Sequence, residues 1–85
     1  MTQDIIRITP ADNVAVVLKA KAAEDTVEVD GVGTITLVDD IQINHKFALA
    51  DIPQGEAVIK YGASIGRATE DIKTGQWVHS HNLGE

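Results

Sequence analysis

Residues 48–58, ALADIPQGEAV, return twenty positions later as residues 68–78, ATEDIKTGQWV. The shared pattern is A-x-x-D-I-x-x-G-x-x-V. Each copy reads as a buried Ile, a four-residue turn closed by Gly, and a strand whose Val (Val58, Val78) faces a core. Two clear copies predict pseudo-symmetry within one domain, because a solenoid needs at least about three repeats. A degenerate third copy is readable at Val17 to Val27, with Glu24 where the glycine should stand.

Working outward from the repeat, valine and isoleucine number 19 against four leucines. Branching at Cβ stiffens a side chain and suits a pleated surface, so the chain is predicted to be mostly β. The predicted strands are Ile5 to Ile8, Val14 to Leu18, Thr26 to Val29, Thr34 to Val38, Glu56 to Tyr61 and Gln76 to His81. Turn signals separate them at Asp12-Asn13, Asp30-Gly31, Pro53-Gln54-Gly55 and Lys73-Thr74-Gly75. Val16 to Asp25 is rich in Ala, Lys and Glu and could start a helix after Asn13, but it is assigned as strand then turn. Gly62 and Gly66 supply backbone freedom around a Y-G-x-x-I-G bend.

The 85 residues form a single domain, 1–85, large enough to bury only about 60–65% of its unfolded surface. No apolar run approaches the roughly 20 residues that span a bilayer, and the amino end lacks the features of a secretory signal, so a cytoplasmic protein is expected. There is no cysteine, which excludes disulfides and thiolate metal sites. Thirteen acidic residues against seven basic ones give a net charge of −6, and the basic ones do not cluster, so nucleic acid and acidic membrane surfaces are not expected partners. Gly31-Val32-Gly33 lacks the following helix of a dinucleotide site, and no phosphate loop or nucleophile elbow is present.

Chemistry concentrates at the carboxyl end. If Gln76 to His81 is a strand, His79 and His81 lie on one face, roughly 6 to 7 Å apart. With Val58 and Val78 inward, Trp77 joins them there, and Ala57, Ile59 and Tyr61 occupy the matching face of the other copy. A small domain gains little by exposing Trp77, so that face is expected to line a cleft or meet a partner. The plain alternative is that Trp77 is core and the histidines close the end of a sheet. His45 is the third histidine; in a turn, such a residue is more often structural than catalytic. Lys46 and Lys60 are candidates to pair with an acid substrate, Tyr61 aligns with His81 across the repeat, and Asp12 and Asn13 suit a turn cap.

Asp12-Asn13-Val14-Ala15-Val16, His45 to Ile52, Val58-Ile59-Lys60-Tyr61-Gly62, Ile65-Gly66, Asp71-Ile72, Gly75 and Val78-His79-Ser80-His81-Asn82 together resemble the amino-terminal SAF domain of the altronate dehydratase family. That family also includes galactarate dehydratase and sulfolactate sulfo-lyase, and the resemblance runs from about Ile5 to Asn82. It departs from the family at Ala20-Lys21 and Glu24, where members often carry an acidic-Ile turn with glycine. The resemblance implies a small β-clip fold and a lyase component. It would remove water from an aldonate or aldarate to give a 2-keto-3-deoxy acid, together with a large dehydratase subunit or domain. It also implies a divalent metal, iron or manganese, shared with that larger part. The candidate catalytic residues are then His79, His81 and His45, with His79 and His81 as metal ligands. Lys46, Lys60, Tyr61, Asn13 and Asn82 form the candidate substrate-binding set. Two histidines do not complete a metal site, so further ligands are expected from His45, substrate, water or the partner. Two alternatives stand beside this reading: a sulfolactate sulfo-lyase small subunit, and a non-catalytic β-clip module binding carbohydrate or protein.

Overall fold

The Asp-Ile turn unit occurs four times in the computed structural model, which describes residues 4–84. Each unit opens on a buried residue (Val17, Leu37, Ala48, Ala68) and ends ten positions later on another (Val27, Phe47, Val58, Val78). Its turn passes through a residue of positive φ: Glu24 at 73°, Asn44 at 68°, Gly55 at 88° and Gly75 at 87°. A turn of this kind needs the left-handed region at its third position, which glycine adopts freely and asparagine tolerates. Thus the degenerate copy at Val17 to Val27 is a true unit, and Leu37 to Phe47 is another.

The units associate in two pairs, each closed by an isolated antiparallel bridge, Lys21 with Ile41 and Ile52 with Ile72. In every unit the N–H of the positive-φ residue donates to the carbonyl that opens the paired unit: Glu24 to Leu37, Asn44 to Val17, Gly55 to Ala68 and Gly75 to Ala48, all at 2.8 Å. The aspartates are exchanged as well. Asp51 accepts from the Thr74 N–H and Asp71 from the Gln54 N–H, both at 2.9 Å, and Asp40 accepts from the Ala23 N–H at 2.8 Å. Ala20 has no carboxylate to return. Lys21, standing where the other units have Ile, pairs instead with Asp4 at 3.0 Å.

Between the turns run nine short strands: β1 Ile5–Ile6, β2 Val14–Val17, β3 Thr26–Val29, β4 Gly33–Thr36, β5 Lys46–Ala48, β6 Ala57–Lys60, β7 Ala63–Ala68, β8 Trp77–Val78 and β9 Leu83–Gly84. All pairing is antiparallel: a central sheet ordered β1-β2-β5-β8, a β3-β4 hairpin, and a β6-β7-β9 sheet. The mostly β fold expected from the β-branched composition is therefore present, and the segment from Val16 to Asp25 is strand then turn.

Three corrections follow. The first strand stops at Ile6 rather than Ile8, because the Asp12 carboxylate takes the N–H groups of Ile8 and Thr9. The last predicted strand stops at Val78 rather than His81, because Asn82 folds the chain back. Strands β5, β7 and β9 went unpredicted; β7 reads ASIGRA, largely exposed and without alternation, so period 2 does not reveal it.

Both faces of the central sheet are covered. Ile5, Ala15, Val17 and Phe47 join the β3-β4 hairpin in one core cluster, against which Trp77 packs. Val14, Ala48 and Val78 join Ile52, Val58, Ala68 and Ile72 in a second. Trp77 therefore packs partly against a core. The second face emerges only where Ile6, Val16 and Lys46 are half-buried.

Candidate functional site

His45 follows the turn of the second unit, its N–H closing that turn on the Gln42 carbonyl at 3.0 Å, and it leads into β5. Phe47 of β5 pairs with Trp77 of β8, which brings the unit's end beside the carboxyl-terminal histidines. The Trp77 backbone N–H donates to Asp39 at 2.9 Å, and its indole N–H donates to His45 Nδ1 at 3.1 Å. In its neutral form His45 then carries its proton on Nε2, the nitrogen left for other contacts. Asp39 is not among the residues that the sequence singles out. Its role was readable only by recognising Asp40-Ile41 as another Asp-Ile pair, eleven residues before Asp51-Ile52.

After Val78 the chain turns over residues 79–82. Asn82, fully buried, accepts from the His79 N–H at 2.9 Å and donates its amide to the Trp77 carbonyl at 2.8 Å. The histidines thus sit on a turn pinned by Asn82, not along a strand, yet both reach Trp77. His79 stacks on the indole with centroids 5.1 Å apart and planes 10° apart, and His81 lies at 4.9 Å. His79 also approaches His45 at 5.0 Å. All three histidines gather around one tryptophan.

Partial desolvation lowers the His79 pKa below its ordinary value, and the nearby His45, Lys46 and His81 push it the same way. Neutral imidazole is the form that accepts a proton or a metal. Lys46 is lowered too, by burial first and by Lys60 second. The Lys60 ammonium lies 5.0 Å from the Tyr61 ring centroid, and both residues border a cavity with Ile6 and Val16. Tyr61 stands there, away from His81, despite their alignment in the repeat.

Asn13 and Asn82 make contacts within the chain. Asn13 donates to the Ala57 carbonyl at 3.0 Å and accepts from the Ile59 N–H at 2.7 Å, so its amide joins β2 to β6. The site residues therefore divide into a histidine-tryptophan cluster, a lysine-tyrosine cavity, and two asparagines that hold backbone. Among the described residues no three His, Cys, Asp or Glu side chains stand together as a metal-holding group. The imidazoles are suitable donors for iron or manganese, but on this chain they fit only part of a ligand set.

Comparison with known proteins gives this geometry a family. The profile described as Altronate/galactarate dehydratase SAF domain matches residues 3–85. The chain belongs to this family. The SAF domain is 51% identical over 77 residues to altronate dehydratase of Escherichia coli (strain K12), covering 91% of this chain and 15% of that protein. It is 35% identical over 74 residues to galactarate dehydratase (L-threo-forming) of the same organism, covering 86% of this chain and 14% of that one. It is 47% identical over 45 residues to (2R)-sulfolactate sulfo-lyase subunit alpha of Chromohalobacter salexigens, covering 53% of this chain and 48% of that subunit. The SAF domain thus spans about a sixth of the length of the altronate dehydratases it matches. Among the described residues no helix is long and apolar enough to cross a membrane.

Proposed function

We propose that this SAF domain is the small component of a cytoplasmic sugar-acid hydro-lyase, acting with a larger catalytic portion supplied as a separate subunit or as the rest of a longer chain. The observation that carries this reading is the gathering of His45, His79 and His81 around Trp77, within a chain 51% identical to part of an altronate dehydratase.

Dehydration of an aldonate breaks the C–H bond α to the carboxylate and the C–O bond of the β-hydroxyl. Water leaves, and the enol product tautomerises to a 2-keto-3-deoxy acid. One group must take a proton and one must give a proton to the departing oxygen. His79, whose pKa is lowered first by desolvation and then by its neighbours, favours the neutral form and suits the first task. His81, on the far side of the same turn, is suited to the second. Lys46, whose charge His79 feels, is the cation proposed for the substrate carboxylate. His45 and Asn82 position the cluster through Trp77 Nε1 and the His79 N–H. In the alternative arrangement His79 and His81 would hold a divalent metal, iron or manganese, with ligands from the larger portion; the metal would supply Lewis-acid stabilisation of developing charge, and the proton transfers would then fall to groups of the larger portion.

The test exchanges this chain for the matched segment of Escherichia coli altronate dehydratase and assays altronate, galactarate and (2R)-sulfolactate. Altronate turnover that falls about 100-fold or more in His79→Ala, with unchanged melting temperature, is expected. Full activity in His79→Ala and His81→Ala would remove the catalytic assignment. The likeness to sulfo-lyase subunit alpha favours a second reading, in which sulfite rather than water leaves; preference for sulfolactate in the same assay would establish it.

A further inference from the structure

Where the second face of the central sheet runs out beyond Val14, Ala48 and Val78, it opens as a cavity of about 280 Å³. Its lining comprises Ile6 and Val16, partners across β1 and β2, with Ile8 and Leu18, and the polar residues Asn44, Lys60 and Tyr61. We propose that this cavity is a docking pocket for the larger lyase portion, receiving from it an aliphatic side chain flanked by a carboxylate. The proposal rests on the reading that such a portion exists.

The lining argues for a polypeptide rather than the sugar acid. Four aliphatic side chains would strip water from a polyhydroxylated substrate without returning hydrogen bonds, whereas they match a Leu or Ile side chain. Ile8, 49% exposed, and Tyr61, 59% exposed, leave apolar surface that the chain itself does not cover.

Tyr61 adds an independent observation. With Gly62 it forms the two-residue turn joining β6 to β7, at φ values of 56° and 74°. Such a turn favours Asn-Gly, and a bulky aromatic in the left-handed region is strained. Packing within the chain does not offset that strain, since the ring stands out at the mouth of the cavity. An exposed, conformationally costly tyrosine beside an apolar pocket has the character of an interface anchor.

Charge supplies the other half of the partner's description. The chain carries −6, yet among the described residues neither Lys46 nor Lys60 has a carboxylate partner; the two ion pairs join Asp4 to Lys19 and Lys21. Lys60, which borders the cavity, would gain from an incoming carboxylate, and Lys46 remains for the substrate.

Hydrogen exchange measured on the isolated chain and on the altronate dehydratase chimera tests this directly. Residues 4–9 and 59–63 should exchange at least about tenfold more slowly in the chimera. Tyr61→Asn should raise the melting temperature of the isolated chain, because asparagine suits the turn, while abolishing that slowing in the chimera; Lys60→Glu should weaken it. An active chimera whose two segments exchange as in the isolated chain overturns the docking pocket and leaves the lyase reading standing. An inactive chimera with slow exchange removes the lyase reading and supports the pocket. Retention of slow exchange in Tyr61→Asn also overturns the pocket.

Discussion

Asp12 shows how one side chain organises the chain around the site. Its carboxylate, 5% exposed, accepts from the Ile8 and Thr9 N–H groups at 3.2 Å, from the Thr9 hydroxyl at 2.7 Å and from the Gly62 N–H at 2.8 Å. Burial alone would raise its pKa, but these bonds overcome that and lower it from 3.8 to about 2. The folded state therefore favours the charged form. The resulting stabilisation is complete above about pH 4 and is lost as pH falls toward 2. Thermal melts across that window should show a steep fall, and Asp12→Asn should flatten it; an unchanged slope in the variant would contradict the assignment. Asn82 has a comparable role at the other end, since its two bonds hold the turn that carries His79 and His81.

At the level of the turn unit, equivalent positions are not equally tolerant. Gly55 and Gly75 share the same left-handed conformation, but a Cβ at residue 55 meets nothing within 4 Å, whereas one at residue 75 collides with the Thr36 carbonyl oxygen. Gly55→Ala should cost about 1 kcal/mol from conformation alone. Gly75→Ala should cost about 3 kcal/mol, because steric displacement of backbone is added. Glu24, which holds φ 73° without being glycine, predicts the opposite sign: Glu24→Gly should stabilise by about 0.5 kcal/mol. Urea denaturation of the three variants measures all of these, and equal losses at residues 55 and 75 would refute the steric argument.

Across the molecule, the two core clusters share one central sheet, with Ala15 and Phe47 on one side and Val14, Ala48 and Val78 on the other. A sheet packed on both faces couples them. Val58→Ala, placed in the second cluster, should cost about 2 kcal/mol. Native-state hydrogen exchange should then speed equally at Val27 and Ile35 in the first cluster. Slower loss at the β3-β4 hairpin would mean that the clusters unfold separately.

Much of this architecture is legible in the amino-acid sequence. The 19 valines and isoleucines determined a β fold, since they fit a pleated surface. The Asp-Ile-x-x-Gly repeat determined turn, buried Ile and inward Val at Ile52, Ile72, Val58 and Val78, because those are local consequences of backbone conformation and pattern. Family membership followed from the same residues. What only the tertiary structure decided involves contacts between positions far apart in the chain. The unit at Leu37 to Phe47 escaped the sequence pattern because Asn44 replaces glycine, the copy at Val17 to Val27 was legible only in degenerate form with Glu24 there, and it is the exchanged backbone bonds that establish both as equivalents. Residues 79–82 left the strand path because a buried Asn82 outcompeted sheet pairing. His45 joined Trp77 and His79 through β5-β8 pairing, and the Tyr61-Gly62 turn places Tyr61 at the cavity with Lys60, Ile6 and Val16 rather than in the histidine cluster. Periodicity reports which way a side chain faces along its own segment; which segment lies opposite is set by packing, and packing assembled the site.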